Sequence, residues 1–331
     1  MKYSLVLQSF GREQEYRRAV FCLMSLFCYA KLEWIERVII FTDNREYFEP
    51  YLPGIPVQYI LLTHQKVKAM RGGIDFLHRM KIAMIDEAFQ ITSGNILYVD
   101  SDTFFLSSPE PVMSEVSPSV SFMHLPEYEF SALKEMPLPA GIPFRAFYEL
   151  IVAQEFVLAS GLKFKISPQF SSWNAGTMAL HQSHQTLLKD VYKLTDQFYP
   201  ATNNHASEQY AFSIVLQNQT RIKALNSIIY HYWYRVKKNI MDELLNKEFN
   251  SIFLSMNADQ RMRRISTLTK RLPHLLENHI LTLRDNAIQA FHENKFSTGY
   301  LFTLRALLKN PFDVKFLKDI VYHTKRYFSH V

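Results

Sequence analysis

Two carboxylates, Asp100 and Asp102, stand one residue apart directly behind an apolar run, Ile96-Leu97-Tyr98-Val99. Side chains alternate along an extended backbone, so these two project to the same side. Two hard oxygen donors on one side suit Mg2+ or Mn2+, and such an ion can bridge phosphate oxygens. An Asp-X-Asp triplet arises easily by chance, so its placement decides its meaning. The alternative is a turn whose carboxylates accept backbone N–H bonds.

The elements that must position this pair alternate between strand and helix. Tyr3 to Gln8 is an apolar strand that ends in the polar turn Gln8-Ser9-Phe10-Gly11. A helix follows with Val20, Leu23, Phe27 and Ala30 on one face. Arg37 to Asp43 and Val57 to Leu62 read as the next two strands. Residues 67–90 read as mostly helical, with Leu77, Met80, Met84 and Ala88 at helical spacing. Asn95 to Val99 is a fourth strand. Short apolar strands separated by helices predict a parallel sheet covered on both faces. Ligands of such sheets sit at the carboxyl ends of the strands. Gln8 to Gly11, Asp43 and Asp100 to Asp102 all fall at such ends.

Further along, residues 107–150 carry seven prolines and read as irregular, a candidate acceptor-side loop. A strand and turn are expected around Ser172 to Met178, and helices at about 181–198 and 206–216. From Arg235 onward the chain reads as helical hairpins, which suggests two parts, 1–234 and 235–331.

Ile96 to Asp102 resembles the DXD element of nucleotide-sugar glycosyltransferases with the GT-A fold, closest to the family 8 type. The resemblance spans roughly residues 3–234. It implies an α/β fold with a mostly parallel sheet and helices on both faces, to which the helical hairpins beyond residue 234 add a C-terminal extension. Gln8, Ser9, Phe10 and Gly11 resemble the loop that holds the nucleotide base, and Asp43 the second strand end. Arg79 and Lys81 lie where the family often carries a basic residue near the diphosphate. Trp173-Asn174-Ala175-Gly176 resembles the turn beside the donor sugar, with Asn174 and Gly176 as donor contacts. Ser207-Glu208-Gln209 resembles the acidic-Gln pair near the reacting carbon. His231 sits where a late histidine often completes the metal shell. The sequence departs from the family at two places. Tyr232-Trp233-Tyr234 replaces the expected glycine- and lysine-containing element after His231, and Glu208 stands where Asp is common.

The resemblance implies transfer of a sugar from a nucleotide diphosphate donor, with a UDP-sugar favoured, to a glycan or lipid-linked acceptor. Mn2+ or Mg2+ held by Asp100, Asp102 and His231 would neutralise the leaving diphosphate. Lys81 or Arg79 would add a second positive contact, and Ser101 and Asp100 would face the donor. Glu208 would act as base in an inverting reaction. In a retaining one, Glu208 or Gln209 would support the reacting carbon. Each of these residues also has a structural alternative. The alternative makes His231 a core histidine among aromatics, Lys81 and Arg79 the wet face of a helix, Asn174 and Gly176 a plain turn, Glu208 a helix cap, and Asp43 a turn residue.

Composition bounds these readings. The chain has 331 residues, 48% hydrophobic and 21% charged, which suits a globular core and excludes a disordered chain. Cys22 and Cys28 read as small hydrophobes in a reducing compartment. The start of the chain lacks a signal-peptide layout and no run is long enough to span a bilayer, so a cytoplasmic protein is expected. The charge is uneven. Residues 1–234 hold 20 Lys+Arg and 22 Asp+Glu, and residues 235–331 hold 17 and 9, giving −2 and +8. The basic part suggests contact with an anionic inner-membrane face, as in surface polysaccharide or lipopolysaccharide assembly. No zinc spacing or RNA-binding signature points to nucleic acid. Ala290-Phe291, Tyr300-Leu301, Ala306-Leu307 and Asn310-Pro311 loosely echo one tetratricopeptide-like pair. The simpler reading is a helical cap that buries Leu301, Leu304 and Leu308. Two other classes compete: a scaffold that has lost activity, and a haloacid-dehalogenase-type phosphatase. The latter pattern wants Thr or Val where Phe104 stands.

Overall fold

A computed structural model describes residues 2–328. Its strands are β1 Tyr3–Gln8, β2 Ile35–Thr42, β3 Val57–Leu61, β4 Asn95–Val99, β5 Thr103–Phe105, β6 Val120–Met123, β7 Pro126–Glu129, β8 Phe156–Val157, β9 Lys163–Phe164, β10 Ser171–Trp173, β11 Thr177–Leu180, β12 Arg221–Ala224 and β13 Ile229–His231. Its helices are α1 Glu13–Phe27, α2 His64–Arg71, α3 Arg79–Ile91, α4 Glu110–Glu115, α5 Ile142–Ala153, α6 Leu188–Thr202, α7 Ser207–Gln219, α8 Arg235–Glu248, α9 Ser251–Ser255, α10 Ala258–Asn278, α11 Ile280–His292, α12 Phe296–Leu307 and α13 Val314–Phe328.

The central sheet has seven strands in the order β12-β6-β11-β4-β1-β2-β3. It is mostly parallel, as expected. Only β11 runs against its neighbours, β4 and β6. The strand residues alternate between two cores. Leu5, Leu7, Val38, Ile40, Leu97 and Val99 face the core built with α1, α8 and α10. Val6, Ile39, Phe41, Ile96 and Tyr98 face the core built with α3, α5, α6 and α7. A strand apolar on both sides can only sit between two helical layers, so continuous runs such as Leu5-Val6-Leu7 dictate this sandwich.

Three expectations are corrected. Residues 107–150 are not irregular: they contain α4, β5's successor strands β6 and β7, and most of α5. Local pattern hides β6 because its stability comes from β11 and β12, far away in sequence. The helix expected over 67–90 is two helices, α2 and α3, and Leu77 between them is 49% exposed. Apolar packing continues past residue 235. Ile240, Met241, Leu245, Ile265, Leu272 and Leu276 belong to the same core as β1 and α1. A separate small core begins at Leu283, with Ala287, Phe291, Ala306 and Phe316. There α12 buries Gly299, Thr303 and Ala306, so Leu301, Leu304 and Leu308 are not buried in a cap; they are 57%, 58% and 77% exposed. Among the described residues no helix is long and apolar enough to cross a membrane. Cys22 and Cys28 are free thiols.

Candidate active site

The chain leaves β1 outward to β2 and β3, then returns to place β4 on β1's other side. A crevice opens where a parallel sheet reverses its order in this way. Here it is a cavity of about 580 Å³ reached by Gln8, Asp100, Ser101, Asp102, Asn174, Gly176, Glu208, Gln209 and His231. Strand register assembles it. Because β11 is antiparallel to β4, its start lies at β4's carboxyl end, and Asp100 N–H donates to the Gly176 carbonyl at 2.7 Å. Because β13 pairs with β5, His231 stands opposite Thr103, and Tyr232 N–H donates to the Asp102 carbonyl at 3.0 Å.

Asp100, Asp102 and His231 each offer a ligand atom within 4.8 Å of the others. Carboxylate oxygens with one imidazole form a donor set suited to Mn2+ or Mg2+. His231 fits so closely that a Cβ at Gly176 would lie 2.0 Å from its ring, which makes glycine a steric requirement there. His231 Nε2 is 3.3 Å from one Asp102 oxygen, and Lys238 Nζ is 2.6 Å from the other. Burial opposes ionisation of Asp102, but His231 and Lys238 outweigh it and hold the carboxyl well below the usual range.

Lys81 is 5% exposed and joins three partners: Asp100 at 3.3 Å, Glu208 at 3.0 Å and the Ala175 carbonyl at 3.1 Å. Burial alone would pull its pKa down; the two carboxylates reverse that and hold it above the ordinary lysine value. Glu208 is therefore a fixed counter-charge, 3% exposed at the start of α7. Tyr98 O–H donates to Asp100 at 2.7 Å, and Ser101 O–H donates to Glu15 at 2.9 Å.

Five expected donor contacts, Ser9, Phe10, Gly11, Asp43 and Arg79, lie outside the cavity. Arg79, read as a diphosphate contact, instead clamps Asp196 at 2.7 Å and the Met70 carbonyl at 3.0 Å, tying α3 to α6. Its neighbour Lys81, two positions on, points to the opposite side of the same helix turn. Asp43 accepts from Gly11 N–H at 3.0 Å and Tyr16 O–H at 2.7 Å, so it latches the loop after β1 rather than reaching the cavity. Gly11 has φ +86°, a conformation that favours glycine. Ser9 is buried, with its N–H donating to the Phe41 carbonyl, and Phe10 packs against the second core.

Sequence reasoning missed Glu127, His124, Trp233 and Lys238. Glu127 lines the cavity from β7 and accepts from Asn174 Nδ2 at 3.1 Å and Gln209 Nε2 at 2.8 Å. His124 packs edge-on against His231 and Trp233. Burial, then the nearby His231, lowers its pKa to about 3, so it is neutral. Lys238 reaches Asp102 from the first turn of α8, across the 234/235 division expected from the change to helical hairpins. A lysine seven residues after His231 was the one available signal.

No family model matches the chain, and no curated protein matches it. Among solved structures it is similar to mouse xyloside xylosyltransferase 1 in its apo form, at 13% identity and TM-score 0.44, over 68% of this chain and 85% of that one. It is also similar to the apo structure of the bifunctional glycosyltransferase WbbM, at 8% identity and TM-score 0.45, over 68% of this chain. The match spans 39% of the WbbM chain.

Proposed function

We propose that this protein transfers a hexose from a nucleotide diphosphate donor, with UDP-sugar favoured, to a glycan or lipid-linked acceptor. The observation that carries the reading is the meeting of Asp100, Asp102 and His231 at the carboxyl end of β4. Charge supports a divalent cation there. Five carboxylates line the cavity, from Glu15, Asp100, Asp102, Glu127 and Glu208, against the ammonium groups of Lys81 and Lys238. With neutral imidazoles the net is −3, which repels a diphosphate. Mn2+ or Mg2+ would be held by Asp100, Asp102 and His231, and when bound it would supply positive charge to the leaving diphosphate.

The protein's own groups would divide the remaining work. Gln8 and Ser101 reach the cavity from the ends of β1 and β4 and would contact the nucleoside. Lys81 pairs with Asp100 and Glu208 and holds both side chains in place. Gln209 accepts from Ala175 N–H at 3.3 Å and so fixes the Asn174–Gly176 turn beside the donor sugar. Lys238 is a third exposed and would meet the outgoing phosphates from the solvent side.

Thermal unfolding with UDP and with GDP, each with and without Mn2+, tests this reading. One nucleotide diphosphate should stabilise the protein only when Mn2+ is present. Asp102→Asn should lose that stabilisation and donor hydrolysis while keeping its far-UV circular dichroism. Unchanged hydrolysis in this variant removes the metal from the reading. If no nucleotide shifts the melt, a scaffold that has lost activity is favoured.

The lipid-linked acceptor finds support on the C-terminal helices. Leu301 and Leu304 on α12 and Leu308 just past its end form one exposed stripe, and Phe312 and Val314 beyond it are 86% and 62% exposed. Lys309, Lys315 and Lys318 are exposed around them. Apolar side chains ringed by lysines match an anionic bilayer surface. Flotation with phosphatidylglycerol vesicles should carry the protein, and phosphatidylcholine vesicles should not.

A further inference from the structure

Asn174 is 4% exposed and His231 7%, and their side chains meet inside the cavity wall. His231 Nδ1 lies 2.9 Å from Asn174 Oδ1. The orientation of that amide is fixed twice. Gly176 N–H, which can only donate, donates to Asn174 Oδ1 at 3.0 Å. The Glu127 carboxylate, which can only accept when ionised, accepts from Asn174 Nδ2 at 3.1 Å. The atom facing His231 is therefore the amide oxygen, and the single proton of a neutral ring goes to the nitrogen nearer its acceptor, Nδ1 at 2.9 Å from Asn174 against 3.3 Å for Nε2 from Asp102. In the neutral ring this leaves a lone pair on Nε2, the nitrogen 3.3 Å from Asp102.

We propose that Asn174 is a positioning residue for His231, and that Glu127 holds it in that role. The pair fixes the ring as the Nδ1–H tautomer and turns the Nε2 lone pair toward Asp100 and Asp102. A metal-ligating histidine needs that lone pair, and the partner of its other nitrogen supplies it. The part of the proposal that concerns affinity rests on the metal reading above; the tautomer does not. Asn174 thereby has a task that differs from contact with a donor sugar. Glu127 also accepts from Gln209 Nε2, while Gln209 Oε1 accepts from Ala175 N–H. One carboxylate thus sets both amides that flank the turn.

The proposal is tested by a polarity swap. Asn174→Asp alone sets a carboxylate against Glu127. Glu127→Gln alone forces a donor against a donor at Asn174 or Gln209. Each single variant should weaken Mn2+ binding by roughly 10–100-fold, read by electron paramagnetic resonance of free Mn2+. The double variant Asn174→Asp/Glu127→Gln keeps every hydrogen bond with the polarities exchanged. It should bind Mn2+ within about threefold of the wild type. Nitrogen-15 shifts of the imidazole in the metal-free protein at alkaline pH should show the His231 proton on Nδ1 in the wild type and in the double variant. A wild-type ring protonated on Nε2 overturns the proposal. So does a double variant no better than the weaker single one, which would mean that Asn174 acts through some other contact. A wild-type ring protonated on Nδ1 in a protein that binds no Mn2+ upholds the relay and removes the metal reading instead.

Discussion

The cavity at the strand ends and the surface of α12 and α13 solve opposite problems with the same residue types. In the cavity, lysine is drawn inward: Lys81 is nearly inaccessible and meets two carboxylates and a carbonyl. On the C-terminal helices, Lys309, Lys315 and Lys318 stand exposed and form no ion pair among the described residues, while leucines of α12 stand in water beside them. Buried charge is tolerated only with partners in place, so the cavity is fixed by its own fold. Exposed apolar surface next to free charge needs nothing from the fold, and gains from something outside it.

Lys81→Met should expose this difference most sharply. It leaves Asp100 and Glu208 without their shared partner, and urea unfolding should show a loss of about 3–5 kcal/mol. Next comes Gly176→Ala, whose methyl group would strike the His231 ring. It should cost about 1–3 kcal/mol by overpacking and abolish Mn2+-dependent stabilisation by nucleotide. A smaller effect is expected of pH. His124 is held neutral in the folded protein, with its pKa lowered to about 3. The unfolded chain takes up a proton at about 6.5, so this stability is present above that pH and is lost as pH falls from about 6.5 toward 3. Thermal unfolding between pH 7.5 and 5 should therefore fall less steeply in His124→Gln than in the wild type. Smallest of all is the paired change Leu304→Glu/Leu308→Glu. Stability should stay within about 0.5 kcal/mol, while flotation with phosphatidylglycerol vesicles is lost. A large loss of stability there would mean that the two regions obey the same rule.

The same contrast governs what the amino-acid order reveals. Strands β1 and β4 are legible because each is a short apolar run, and the pair Asp100 and Asp102 is legible because it follows one. Arg79 and Lys81 are two residues apart on one helix, so local pattern assigns them together; only tertiary packing sends one to Asp196 and the other to Asp100. Glu127 could not be found, because β7 is defined by its pairing with β10, about 45 residues away. The stripe Leu301, Leu304 and Leu308 misleads for a different reason. Its spacing is that of any buried helix face, and periodicity reports that a face is apolar without reporting what covers it.

The antiparallel match of β5 with β13 also bears on synthesis. Asp102 and His231 are separated in the chain by more than a hundred residues, yet neighbouring strands hold them together. During translation at roughly 5–20 residues per second, Asp102 emerges from the ribosome many seconds before His231 and before Lys238, the lysine that pairs with it. On the metal reading proposed above, the nascent chain lacks part of the ligand set until β13 has been made.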